Sequence, residues 1–124
     1  EAYEEAGVGP DDVDVIELHD ASSPAEIMYY ESLGLCPKGE GARFITEGHS
    51  RLGGSTPVNP SGGLLRKGHP VGATGLAQIT ELADQLRGRA GKRQVEGARI
   101  GLAENGGGFI RSDAAAMVIT VLEK

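Results

Sequence analysis

The chain has 124 residues, 18 acidic side chains against 12 Lys and Arg, and a net charge of −6. That length closes one hydrophobic core but not two, and the negative balance excludes a nucleic-acid binder, which needs clustered Lys and Arg. No run reaches the roughly 18 apolar residues of a membrane span, and the lone Cys36 rules out an internal disulfide and suits the reducing cytoplasm. Cys36 falls in Gly34-Leu35-Cys36-Pro37, a helix exit, and reads as a small packed residue.

In chain order, Ala2 to Ala6 reads as a helix end stopped by Gly7, with Gly9-Pro10-Asp11-Asp12 as a turn. Val13 to Leu18 is aliphatic and β-branched, a strand that delivers His19 and Asp20 at its C-terminal end. Ser23-Pro24-Ala25-Glu26 combines a capping box with proline in the first turn. The helix it starts carries Ile27, Tyr30 and Leu33 on one face and stops at Gly34. Lys38 to Ser55 is polar and glycine-rich without period, a surface loop with short extended pieces that contains His49.

A second helix is predicted from Thr74, as N-cap, to Gly88, with Leu76, Ile79, Ala83 and Leu86 spaced along one face. The basic residues Arg87, Arg89, Lys92 and Arg93 follow its end, where they suit the helix dipole. Arg99 to Ala103 and Ala114 to Leu122 are of strand length. A glycine turn and Arg111-Ser112-Asp113 separate them, which predicts an antiparallel pair. The order of strands and helices gives the α/β class.

Three segments carry candidate chemistry. Asn59-Pro60-Ser61-Gly62-Gly63-Leu64-Leu65-Arg66-Lys67-Gly68-His69-Pro70-Val71-Gly72-Ala73-Thr74-Gly75 holds a histidine between glycine and proline, just before a helix N-terminus. A ring nitrogen there can move a proton or meet developing negative charge. His19-Asp20 ends the first strand, and Gly101-Leu102-Ala103-Glu104-Asn105-Gly106-Gly107-Gly108 offers successive glycine N–H groups to an oxyanion. The three histidines are too scattered in sequence to suggest a metal site, and no dinucleotide fingerprint follows a strand.

The run N-P-S-G-G-x-x-x-x-G-H-P-x-G-A-T-G resembles the histidine motif of the thiolase superfamily. With His19-Asp20 and the glycine segment, the likeness covers nearly the whole chain and is strongest to the sterol-carrier and lipid-transfer branch. The resemblance implies one thiolase-fold half, residues 1–124, with a mixed five-stranded sheet flanked by helices, one of them buried against a partner half. The chain starts without methionine or signal peptide, which together with the likeness reads as the C-terminal piece of a longer protein.

On that likeness His69 activates a nucleophilic cysteine supplied from outside this chain. His19 contacts the acyl oxygen, while Gly106, Gly107, Asn59 and Gly68 line the oxyanion and substrate side. Acyl-CoA is the implied substrate, no cofactor is implied, and the N-terminal half and a second copy are the implied partners. The piece alone is expected to be inactive and to expose an apolar face. Two positions depart from the pattern. Ala21 stands where the sterol-carrier type has cysteine, and Glu104 stands where ordinary thiolases carry the acid/base cysteine. A desolvated carboxylate can abstract an α-proton, so Glu104 is a candidate base. Retro-aldol cleavage of steroid side-chain CoA esters and simple acyl-CoA or lipid binding are the alternatives to acyl transfer.

Overall fold

The computed structural model describes residues 1–111 and 113–124 and is of the α/β class. Its helices are α1 (Ala2–Ala6), α2 (Ser23–Ser32), α3 (Gly41–Thr46), α4 (Gly63–Lys67) and α5 (Thr74–Leu86); its strands are β1 (Val15–Glu17), β2 (Ile100–Ile110) and β3 (Asp113–Glu123). The sheet has three strands in the order β1-β2-β3, β1 parallel to β2 and β2 antiparallel to β3. A single parallel bridge from Ile16 to Val58 is all that extends it on the β1 side, so the expected five strands reduce to three. Pro57 precedes that bridge, and the chain leaves through Asn59 at φ 52, which stops a fourth strand from growing.

The alternation of β1 and β2 sorts two cores. Ile16, Leu18 and Leu102 point to the α2 side and pack with Tyr30, Leu33 and Phe44. Val15 and Ala103 point to the α5 side and pack with Leu82 and Leu86. β1 is buried throughout, as a central parallel strand must be.

Several local expectations change. The supposed loop after Lys38 contains α3, six residues held by buried Phe44 rather than by periodicity. The Ser23–Glu26 capping box does not form: Ser22 is the N-cap without a side-chain bond, and Glu26 accepts from Tyr30 Oη instead. Ala73, not Thr74, is the N-cap of α5. The buried face of α5 consists of Thr74, Gln78, Glu81, Leu82, Gln85 and Leu86, whereas Leu76 is 72% exposed. The polar members have partners outside the helix: Gln78 Nε2 donates to Glu104 O (2.8 Å) while its Oε1 has no partner among the described residues, Gln85 Nε2 donates to Arg93 O (2.7 Å), and Glu81 pairs with Arg93 (2.9 Å). The glycine segment is strand rather than turn, with Gly106 opposite Met117 and Gly107 opposite Ala116. The predicted turn residue Ser112 lies outside the described residues. No helix among the described residues is long and apolar enough to cross a membrane.

Candidate active site

The C-terminal end of β1 and the middle of β2, at Asn105, meet the N-terminus of α5, and the three motif segments converge there. His19 leaves β1 on the α5 side, and its Nδ1 lies 2.7 Å from Asn105 Oδ1 on β2. An amide oxygen only accepts, so Nδ1 of His19 carries the proton and Nε2 of the neutral ring is a bare lone pair. His69 arrives from the loop after α4. Its Nδ1 lies 2.7 Å from Thr74 Oγ1, whose hydroxyl donates to Pro70 O at 3.2 Å. With its Nδ1 engaged by Thr74, the His69 ring leaves Nε2 without a hydrogen bond among the described residues. The two rings pack edge to face with centroids 4.8 Å apart at 84°. The result is a pair of imidazoles, each held through Nδ1, beside the N-terminus of a 13-residue helix, which favours negative charge. Gly75 belongs to the same arrangement, because a Cβ there would stand 2.9 Å from Asn105 Nδ2.

The loop that brings His69 is tied to β1. Asn59 takes a left-handed conformation that asparagine tolerates; its N–H donates to Ile16 O (2.8 Å) and its Oδ1 accepts from Leu18 N (2.7 Å). Asp20 is buried and caps α4, with Oδ1 accepting from Leu64 N at 2.7 Å. Gly63 permits this approach: at φ 60, a Cβ there would collide with Asp20 Oδ2. Gly68, at φ 91, then turns the chain into His69, whose side is open to solvent. Asn59 and Gly68 therefore shape the loop from behind, and Asn59 Oδ1 is committed to the backbone.

The glycine segment contributes differently from the sequence expectation. In a strand successive N–H groups point to opposite edges, so Gly106 and Gly107 do not aim at one atom together. Beyond Ala103, β2 has no strand on its β1 edge among the described residues, which leaves alternate backbone groups of this stretch facing away from β3.

Glu104 and Asn105 part company for the same reason. Asn105 reaches the histidines on the α5 side. Glu104 shares the parity of Leu102 and points to the α2 side, close to Gly106 and Tyr29. Glu104 is fully buried; its Oε2 accepts from His19 N at 3.0 Å and its Oε1 has no partner among the described residues. Burial pushes its carboxyl above the usual range, with the His19 N–H bond, and the His19 ring when charged, only partly opposing. Sequence reasoning missed Asn105, and the signal that could have found it is the period-2 alternation with Ala103.

Cys36 lies on the α2 side near Phe44, so this chain brings no thiol to the histidine pair. His49 sits away from the pair as well, stacked on Phe44 and bonded to Ser55 Oγ and Glu47. An open groove of about 340 Å³ runs beside the histidines, with Val71, Leu76 and Val118 on its walls and Gln78 and Asn105 among its lining. Val71 is 80% exposed and Leu76 72% exposed on its walls.

The fold accords with the comparisons to known proteins. The thiolase C-terminal domain-like family model matches residues 1–120, and the chain belongs to that family. It is 59% identical over 103 residues to sterol carrier protein 2 of Rattus norvegicus, covering 83% of this chain and 19% of that protein. It is 53% identical over 107 residues to an acetyl-CoA acetyltransferase of Methanothermobacter thermautotrophicus, covering 86% of this chain and 28% of the relative. Among solved structures it matches the Ltp2-ChsH2(DUF35) aldolase with a TM-score of 0.76 and 29% identity, over 83% of this chain and 26% of that one. The chain thus spans about a fifth to a quarter of these relatives.

Proposed function

We propose that this chain is the histidine-bearing half of a thiolase-type site that transfers acyl groups on CoA thioesters, completed by an N-terminal half and working as an oligomer. The observation that carries the reading is the edge-to-face pair of His69 and His19, each held through Nδ1, by Thr74 Oγ1 and Asn105 Oδ1, with Nε2 of both rings left for a ligand. His69 Nε2 takes the proton from an incoming thiol, and the imidazolium so formed donates from Nε2 to the thioester oxygen as it becomes an oxyanion. His19 faces the same space and accepts or returns a proton there. The α5 N-terminus adds favourable potential for the anion. The apolar groove beside the pair suits the acyl chain, and no step calls for a cofactor.

A second reading is carbon–carbon cleavage of a CoA thioester by retro-aldol chemistry. It is favoured by the lack of a thiol from this chain at the histidine pair, with Ala21 and Glu104 at the two cysteine positions. It needs a base and an acid, which the two imidazoles supply, and it needs no acyl-enzyme. The likeness to a protein described as an aldolase supports it.

Intact mass of the full-length protein after exposure to a short 3-ketoacyl-CoA tests the two. A mass gain equal to the acyl group establishes acyl transfer. Folded protein that turns over a β-hydroxyacyl-CoA without an adduct establishes the aldol reading. Folded protein that binds acyl-CoA and does neither refutes both and leaves a binding domain.

A further inference from the structure

Behind His69 lies a charged cluster that the proton chemistry does not use. Glu17, fully buried on β1, accepts from Ser61 N (3.1 Å) and from Ser61 Oγ (2.6 Å). Lys67 Nζ donates to the same Ser61 oxygen at 2.6 Å and lies 3.3 Å from Glu17 Oε2. The Lys67 side chain is 27% exposed, so its ammonium spans the distance from solvent to a buried carboxylate.

Burying a carboxylate is costly, and well-packed apolar residues of the same volume often serve stability as well or better. Stability alone therefore gives no reason for an ion pair here, but its position does. Glu17 lies two residues before His19, and Lys67 two residues before His69. The other ties from β1 hold the loop earlier: Leu18 N reaches Asn59, and Asp20 reaches the start of α4 at Leu64. Among the described hydrogen bonds from β1, that of Glu17 to Lys67 alone reaches the C-terminal end of α4, from which Gly68 turns directly into His69.

We propose that Glu17, Ser61 and Lys67 form a positioning clamp that locks the His69 loop to the end of β1 and so sets the 4.8 Å separation of the imidazoles. The clamp rests on the histidine-pair reading above. A charge-assisted bond has a preferred length and direction, whereas apolar contacts allow a surface loop to slide. Residues 65–73 are exposed and neither core cluster includes Lys67, so loosening the clamp moves the loop without opening the core.

Two readouts on the same variants test this. In protein labelled at histidine with 15N and 13C, the cross-relaxation between the His19 and His69 ring protons reports their separation directly. Lys67→Met is expected to weaken it at least about threefold, and Lys67→Arg, which keeps a cation within reach of Glu17, to retain it. In the full-length protein Lys67→Met is expected to lower kcat about 10- to 100-fold, the scale of an ångström-sized misplacement, with KM changed less than about twofold, and Lys67→Arg to recover most of the loss. Ring contacts and kcat equal to the parent's would overturn the clamp. So would a loss of activity that only tracks the unfolded fraction, with ring contacts intact in the folded molecules. Should Lys67→Met not fold, Ser61→Ala decides by the same two readouts. A parent protein without turnover of any CoA thioester sinks the proposed function, and the ring contacts still decide the clamp.

Discussion

The two faces of the sheet meet at adjacent residues and have opposite characters. On the α5 face, Asn105 and Thr74 hold the two histidines through Nδ1 and leave both Nε2 atoms open. On the α2 face, Glu104 is fully buried and Glu26 partly buried, and desolvation raises both carboxyls. Tyr30 is fully buried there and donates a hydrogen bond from its hydroxyl to Glu26; burial is also the main reason its phenol is pushed up. One face is organised to exchange protons with a ligand, the other to hold them. The difference shows that a one-residue step along a strand decides whether a polar side chain serves the site or the core.

The comparison breaks first at His69. His69→Ala is expected to lower turnover of the full-length protein by roughly 10²- to 10⁴-fold, the usual range for a lost general base. The ring is at an open surface, so the melting temperature should barely move. Circular dichroism melts beside steady-state rates check both halves of that statement. A variant that keeps parental turnover would remove the α5 face from the chemistry.

The seam between the faces is next. Asp20 is buried where α4 joins β1, and Gly63 leaves room for its carboxylate. Gly63→Ala drives a Cβ into Asp20 Oδ2 at a φ of 60, so steric and backbone strain act together. A loss of about 2–4 kcal/mol is expected in urea unfolding. A loss below about 1 kcal/mol would mean that the α4 loop gives way easily, against a rigid His69 mount.

A smaller effect separates the neighbours. Asn105→Ala removes the acceptor that holds His19 in its Nδ1–H tautomer, and about tenfold in kcat is expected, the worth of one well-placed hydrogen bond of about 1.4 kcal/mol. Glu104→Gln keeps an acceptor for His19 N and lies on the other face, so its rate should stay within about threefold of the parent's. If the two variants swap ranks in a side-by-side kinetic assay, Glu104 is the base that its place in the motif suggested.

What the sequence made legible was local. The β1 strand, α2, α5 and the antiparallel β2–β3 pair follow from short patterns, and the histidine motif lies beside His19 and Asn105. Missed features depend on distant partners. α4 has only five residues and exists because Asp20, 44 positions away, caps it. α3 is fixed by Phe44 against Tyr30, at a ring separation of 5.0 Å. The glycines after Asn105 read as a turn because glycine disfavours strands, yet pairing with β3 extends β2 through them. The buried face of α5 is not read from apolar spacing alone, because Gln78 and Gln85 donate to backbone carbonyls that no pattern in the helix reveals. Asn105 was hidden beside Glu104 until strand parity assigned each to a face.

The smallest expected effect is thermodynamic and tests the α2 face alone. A carboxyl whose folded-state pKa is raised binds its proton in the native state at a pH where the unfolded chain has released it. Stability then falls as pH rises from the ordinary carboxylate range through the raised native value, and is regained on acidification. Glu104 is such a group, raised by burial and only partly relieved by His19. The amide in Glu104→Gln cannot titrate, whereas Glu17 and Glu26, also raised by burial, are present in both proteins and cancel. The stability of Glu104→Gln relative to the parent should therefore decline from neutral pH toward the ordinary carboxylate range. Melts at closely spaced pH values measure it. A relative stability that instead rises on acidification would show that Glu104 is held as an anion by the His19 N–H, and the α2 face would then store charge rather than protons.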